Sequence, residues 1–325
     1  MQEFLDDWGL TLVTFVPLVG AVIMMAVPRA EEELLKFLAL GTSLVVGVIG
    51  VLLAVEFDYD NGATLQFLQD REWIEVINSR YIIGLDGISL PLVLLTLLIV
   101  PLCIIYSWHH FPEPHNPKAF LILILILETG MVGTFVAQDL ILFFVFFEVV
   151  LLPMFFMIAV WGGEDRRYAS IKFFLYTLLG SALMILSFLS LFFLAENPET
   201  GEALRTFDMR ALSEWGGAGL ARTTGLLIFG GMFMGFGIKV PMFPFHTWLP
   251  DAHTQAPTVG SVILAAVLLK LGTYGFVRIA IPILPEAAVE WSPWIGLLAV
   301  IGIIYGALGC LAQTDMKRLI AFSSV

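Results

Sequence analysis

The sequence predicts an all-α fold, a polytopic transmembrane helix bundle with about ten spans, and three observations carry the prediction. Only 14% of the 325 residues are Asp, Glu, Lys or Arg and 59% are hydrophobic, whereas soluble domains carry about 25% charged residues. The polar residues are segregated, so that long apolar runs alternate with short charged connectors. The runs are also close to the length a span requires, roughly 20 residues, because a helix rises about 1.5 Å per residue through about 30 Å of hydrocarbon.

In chain order the spans fall at Leu10–Val27, Leu34–Val55, Ile88–Tyr106, Phe120–Val136, Leu140–Trp161, Tyr168–Leu194, Thr223–Val240, Thr258–Ile281 and Pro293–Leu311, and a tenth begins near Arg318. The first is not read as a cleavable signal, since Glu3, Asp6 and Asp7 stand where a signal peptide carries positive charge. Only Ala137-Gln138-Asp139 separates the fourth and fifth, which makes them a tight antiparallel pair. The connector Asp58–Asn78 alternates polar and apolar residues around Asn61-Gly62 and reads as a short hairpin or a surface helix. Ala195–Arg222 is the second long connector.

Lys and Arg in the short odd-numbered connectors (Arg29, Lys36, Lys118, Arg166, Arg167, Lys172, Lys317, Arg318) outweigh those of the even-numbered ones, most of which are spread over long loops. The positive-inside rule then places the N-terminus outside. A net charge of −12 argues against a nucleic-acid partner, which wants a basic stripe. Cys103 and Cys310 lie singly in apolar runs and give neither a disulfide framework nor iron–sulfur spacing.

Four ionisable residues fall where lipid should be: Glu128 in the fourth span, Glu148 in the fifth, Lys239 ending the seventh and Lys270 in the middle of the eighth. Each uncompensated charge costs about 2.5–3.5 kcal/mol on the insertion scale. Four cost roughly 10–14 kcal/mol, the whole stability of a typical domain. They are therefore expected to face the bundle interior, paired or hydrated. Taken alone, Glu128 reads equally well as a protonated structural hydrogen-bonder. Together, groups of both signs at mid-membrane depth suit a chain that passes protons.

The residues after Lys239 support that reading. Pro241 and Pro244 break an otherwise continuous apolar helix, and broken helices at membrane depth line cavities and ion sites. His246 sits just past the break, with an unperturbed pKa near 6.5 that suits a relay. His253 is expected at the surface. A metal site built on His246, Asp251 and His253 is the competing reading, although the spacing matches no usual ligand pattern. No Walker loop, dinucleotide fingerprint or nucleophile elbow is present. Gly230-Gly231 and Gly235-x-Gly237 read as close helix packing.

The stretch Lys239–Ala256, continued by Pro257-Thr-Val-Gly-Ser-Val-Ile-Leu-Ala-Ala-Val-Leu-Leu-Lys270-Leu-Gly and on to Arg278, closely resembles the proton-pumping, antiporter-like membrane subunits of respiratory complex I. Tyr81-x-x-Gly-x-Asp-Gly-Ile-Ser89, Phe-Phe-Glu148 with Pro153, and Ala169-x-x-Lys172-Phe-Phe-x-Tyr-Thr are similar to the same family. Asp251-Ala-His-Thr-Gln-Ala-Pro-Thr looks most like its chain 4 branch. The resemblance implies that Glu148, Lys239, Lys270 and His246 form a proton relay, with weaker support for Glu128. It implies a first inverted repeat of five helices over residues 120–281 with a broken seventh helix, a three-span region with a hairpin loop over 1–119, and the start of a second repeat over 282–325. The family has about fourteen spans in two such repeats. This sequence stops within a span, so the second repeat is expected to be incomplete, as a fragment or a truncated product. The resemblance further implies no redox cofactor on this chain. Flavin, iron–sulfur clusters and quinone would belong to partner subunits, and the partners would be other membrane subunits of the complex together with lipid. Two other readings fit the same residues: a subunit of a multi-subunit sodium/proton antiporter, and a membrane scaffold without transport. Intact buried charges argue against the scaffold.

Overall fold

The computed structural model of the protein describes residues 2–197 and 200–325; Pro198 and Glu199 of the second long connector lie outside the described residues. Twelve helices and one small sheet follow one another along the chain. They are α1 (Gln2–Ala26), α2 (Glu32–Glu56), β1 (Gln66–Ile74), β2 (Ser79–Leu85), α3 (Ser89–Ser107), α4 (Pro117–Val136), α5 (Leu140–Trp161), α6 (Arg166–Leu194), α7 (Met209–Trp215), α8 (Arg222–Lys239), α9 (Trp248–Gln255), α10 (Thr258–Ile283), α11 (Pro285–Leu311) and α12 (Met316–Ser324).

Helix starts follow local sequence signals. Asn116 caps α4 ahead of Pro117, and Asp139, Asp208 and Asp315 each accept backbone N–H groups at the heads of α5, α7 and α12. Gly216, at φ 57°, closes α7 in the left-handed conformation that glycine adopts without strain. Among the described residues, eight helices are long and apolar enough to cross a bilayer, fewer than the nine complete spans expected. The difference is α8, an 18-residue helix that begins Arg-Thr-Thr-Gly and ends on Lys239. The expected start of a tenth span is the nine-residue α12, an amphipathic helix packed on α9 and α11.

The hairpin expectation holds, with its turn in a different place. The strands β1 and β2 pair antiparallel, Arg71 opposite Tyr81 and Glu72 opposite Arg80. The chain reverses at Glu75–Asn78, where Asn78 takes φ 50°, a conformation Asn tolerates better than most residues. Asn61-Gly62 instead folds back on the start of α3, with the Gly87 N–H donating to Gly62 O at 2.8 Å.

At the centre of the bundle is α4, with 78% of its apolar window buried against 11% for α11 at the rim. Glycines set the closest approaches. A Cβ on Gly133 would stand 2.3 Å from the Phe146 ring of α5, and one on Gly130 2.6 Å from Val150. Between α6 and α8 the same role falls to Gly180, Gly231 and Gly235, where added Cβ atoms would meet the facing helix at 2.2–3.1 Å. Without a hydrophobic drive in lipid, such backbone approach is the main source of helix–helix adhesion.

The connectors sort onto two faces. On one, the hairpin meets the loop before α5 (Gln138 N–H to Ile82 O, 2.8 Å), and α1 joins it through Gln69 and Arg71. On the other, Gly163 N–H donates to Gln255 O at 2.9 Å, Trp161 Nε1 to Pro114 O at 2.8 Å and Lys118 Nζ to Val27 O at 2.7 Å. This alternation is the one the span order predicts.

Candidate functional site

The centre of the site is the end of α8. Three bonds shape the break: Trp248 Nε1 donates to Ile238 O at 2.9 Å, Met242 N–H to Gly237 O at 2.8 Å, and Phe245 N–H to Met242 O at 2.7 Å. Carbonyls left open where a helix stops are thus partly satisfied. The second half of the broken helix, α9, is fastened to α6 by Tyr176–Thr247 at 2.9 Å and by the Lys172–Asp251 ion pair at 2.7 Å. The two α6 residues, Lys172 and Tyr176, are four apart and so share a face.

Lys239 is the last residue of α8 and is only 2% exposed. No carboxylate lies within 4.0 Å of its ammonium among the described residues. Two electron-rich partners take the place of one. The Phe147 ring centroid lies 4.6 Å from Nζ, and the carbonyl end of the α8 dipole favours a cation at this position. Glu148 is half-buried at the close of the first half of α5, where α-helical Leu140–Val149 gives way at Val150 to Leu151–Trp161. It faces Ser181 of α6 and interacts electrostatically with Lys239. A direct Glu148–Lys239 ion pair, the contact that similar depth suggests, is not formed. The ring of Phe147, the neighbour of Glu148 in sequence, lies against the ammonium instead.

His246 is 3% exposed and its Nδ1 has no partner. Its ring sits 5.6 Å from Phe243 and 4.9 Å from Tyr305 of α11. Glu128 is fully buried, with one oxygen 3.1 Å from Ser43 Oγ of α2 and the other unpartnered. It meets α2 rather than the helices that carry the other groups.

Two placements correct the sequence reading. Lys270 does not face the interior of this chain. It is exposed, and its ammonium donates to Ala265 O at 2.6 Å. That carbonyl belongs to a π-helical segment, Leu264–Leu268, and a second one, Phe276–Ala280, follows it; such bulges occur frequently at functional sites. The cost of an intramembrane charge dictates that lipid be avoided, but not which residues do the covering. His253, expected at the surface, is 6% exposed with Nε2 unpartnered. It lies on α9 against α10, where Ser261 Oγ donates to its carbonyl at 2.9 Å. The competing metal set is dispersed: His246 faces aromatic rings, Asp251 holds Lys172, and His253 packs towards α10.

Sequence reasoning also missed a polar cluster on the hairpin face. Arg278 of α10 pairs with Asp86, which precedes α3, and its Nε lies 3.1 Å from the Tyr274 hydroxyl. Tyr274 in turn donates to Phe135 O at 2.7 Å. Burial works against the Asp86 carboxylate, but Arg278 and the Ser89 amide outweigh it and hold its pKa below the usual carboxylate range. Asp86 and Arg278 each lie in a stretch that carries the resemblance, but nothing in the sequence pairs them.

The geometry can be set beside known proteins. The family described as NADH:quinone oxidoreductase/Mrp antiporter, transmembrane, matches residues 137–325, and the amino terminus of NADH-ubiquinone oxidoreductase chain 4 matches residues 62–134. The chain is 43% identical to NADH-quinone oxidoreductase subunit M of Rhodobacter capsulatus, over 97% of this chain and 62% of that protein. It is 41% identical to NADH-ubiquinone oxidoreductase chain 4 of Arabidopsis thaliana, over 95% and 60% respectively. It thus spans about three-fifths of the length of these relatives. A chain of respiratory complex I from Thermus thermophilus with bound NADH superposes with a TM-score of 0.82 at 27% identity, over 97% of this chain and 62% of that one. A chain of an archaeal membrane-bound sulfane sulfur reductase shares the fold, with a TM-score of 0.81 at 20% identity over the same shares. The match over residues 137–325 covers the break, Glu148, Lys239, His246 and Lys270, and the chain belongs to the NADH:quinone oxidoreductase/Mrp antiporter transmembrane family.

Proposed function

We propose that this chain is a proton-translocating membrane subunit of an NADH-quinone oxidoreductase, passing protons along Glu148, Lys239, His246 and Lys270. The observation that carries the reading is Lys239, 2% exposed at a helix break, with its ammonium against a ring and no carboxylate within 4.0 Å. A structural lysine is held by a buried ion pair, because an unpaired buried charge is among the costliest groups in a fold. An ammonium left free of one, within electrostatic reach of Glu148, is poised to exchange its proton. Glu128, hydrogen-bonded to Ser43 of α2, is the least connected member of this line. Redox chemistry belongs to partner subunits carrying flavin, iron–sulfur clusters and quinone, and the neighbours in the membrane are other subunits of the complex and lipid. Residues 120–281 form the five-helix half-channel, 1–119 the N-terminal region with the hairpin, and 282–325 the start of the second repeat.

Lys270 tests the relay. It makes one hydrogen bond, to a carbonyl of its own helix, so its removal leaves no partner unsatisfied inside this chain. Lys270→Ala is expected to leave the complex assembled while NADH-driven proton uptake by inverted membrane vesicles falls at least about tenfold. Parent-like pumping by the assembled variant would show that this lysine is not on the path.

In the proposed orientation the hairpin face is outside, with the N-terminus, and the face carrying Arg29, Lys118 and Arg166 is cytoplasmic. A single cysteine at position 164 should therefore escape a membrane-impermeant thiol reagent in sealed cells and react once they are opened. Strong labelling in sealed cells reverses the orientation.

A further inference from the structure

Lys270, Tyr274 and Arg278 recur every four residues along α10, which places them on one strip of the helix. The strip covers about 12 Å of helical rise, from the middle of the span to its hairpin end. Polar, hydrogen-bonding groups on one strip can conduct protons. If the strip ran on to water, a proton arriving at Lys270 could leave directly on the hairpin side.

It does not run on to water. Arg278 ends the strip, its side chain 16% exposed and paired with an Asp86 side chain that is 6% exposed. Asp86 is otherwise committed as the cap of α3, accepting from Ile88 N–H at 3.1 Å, Ser89 N–H at 3.0 Å and Ser89 Oγ at 3.0 Å. The Tyr274 hydroxyl is held between Arg278 Nε and Phe135 O. The opposite face differs: a cavity of about 270 Å³ opens there between Tyr106, His110, Gln255, Thr258 and Lys317. The hairpin end of the strip is thus closed by a buried ion pair. Stability does not explain the pair, since apolar residues of similar volume serve a buried position as well or better. A guanidinium does have properties that matter here. It does not lose its proton at accessible pH, and its fixed positive charge excludes protons from narrow polar passages.

We propose that Asp86 and Arg278, seated on Tyr274, are a proton seal that closes the hairpin end of the polar strip against leakage from Lys270. The seal rests on the proton-relay reading above, and it assigns these residues a positioning and barrier role rather than a catalytic one.

The test uses inverted vesicles carrying the whole complex, with no NADH present. A pH step is imposed under a clamped membrane potential, and its decay is followed per assembled complex. Arg278→Met should speed the decay at least about threefold over the parent. With NADH added, it should lower the steady gradient while uncoupled NADH oxidation persists. A brace without a barrier role would instead lower assembly and oxidation together and leave the decay unchanged. Adding Glu148→Gln to Arg278→Met should close the leak again, because the proton then lacks its route to Lys270. A leak that persists in the double variant supports the seal and overturns Glu148 as the route. Assembled Arg278→Met and Asp86→Asn complexes that hold the gradient as long as the parent overturn the seal, whatever the Glu148 result. Should Arg278→Met fail to assemble, Tyr274→Phe removes only the oxygen on which Arg278 sits. It is expected to leak about twofold faster, and parent-like decay there overturns the proposal as well.

Discussion

Glu148→Gln is expected to abolish proton pumping, to below about a tenth of the parent rate, while leaving the complex assembled. Glutamine has the same shape, and Glu148 is half-buried against Ser181, so packing is preserved and only the charge and the exchangeable carboxyl proton are lost. Glu148 is the acid that interacts electrostatically with Lys239. Beyond 4.0 Å, at an effective dielectric near 20, the attraction is roughly 4 kcal/mol at most. That is a strong influence on whether Lys239 keeps its proton, yet weaker than a locked ion pair, which suits a contact that must tighten and loosen in each cycle. The Phe147 ring centroid lies 4.6 Å from the same ammonium. Glu148→Asp keeps the charge on a shorter arm and should retain part of the activity. The measurement is NADH-driven proton uptake by vesicles, normalised to assembled complex. Full pumping by Glu148→Gln would demote the residue to a hydrogen-bonder.

Asp139→Ala should cost more in stability than any other exchange on the hairpin face. The carboxylate is fully buried and takes four hydrogen bonds: Ser79 Oγ at 2.9 Å, Arg80 N–H at 3.1 Å, Ile141 N–H at 2.9 Å and Leu142 N–H at 3.0 Å. Two of them cap α5 and two anchor β2, so one side chain joins the sheet to the helix that carries Glu148. Loss of the cap alone costs about 1 kcal/mol, and each orphaned buried donor about 1–3 kcal/mol more. The expected total is about 2–5 kcal/mol. It should be read as a lower melting temperature of the purified complex and less of it in the membrane. Asp139→Asn keeps an acceptor oxygen at the cap and should recover most of the loss. An unchanged melting temperature for Asp139→Ala would show that β2 and α5 are held together elsewhere.

The helices were legible because their cause is local: an apolar run of span length, closed by a capping Asn or Asp, is written in consecutive residues. The break after Lys239 was legible for the same reason, through Pro241 and Pro244. What escaped the sequence depends on partners far along the chain. Arg278 and Asp86 are 192 residues apart, and no periodicity connects them. His253, flanked by Ala252 and Thr254 in a polar stretch, reads as surface until α10 is seen lying over it. Lys270 was expected inside on energetic grounds but is exposed in this chain, and the side of its helix depends on the two π-helical segments around it. Each adds a residue to the turn and rotates everything beyond it, a change that composition does not record. The hairpin turn was misplaced because Asn61-Gly62 is a strong local signal, whereas Glu75–Asn78 closes the strands only once Asp139 holds Ser79 and Arg80 in place.

The glycine seats between neighbouring helices divide the molecule mechanically. Phe146 of α5 fills the notch at Gly133 of α4, and the α6 backbone lies flush with Gly231 and Gly235 of α8, so neither pair can slide or rotate internally without a collision. The eight-residue α9 has no such notch against α6. It hangs from that helix by side-chain tips, Thr247 on Tyr176 and Asp251 on Lys172, with Trp248 resting 5.3 Å from the Phe173 ring. The break after Lys239 is thus joined to α6 through discrete side-chain contacts that single substitutions can remove one at a time.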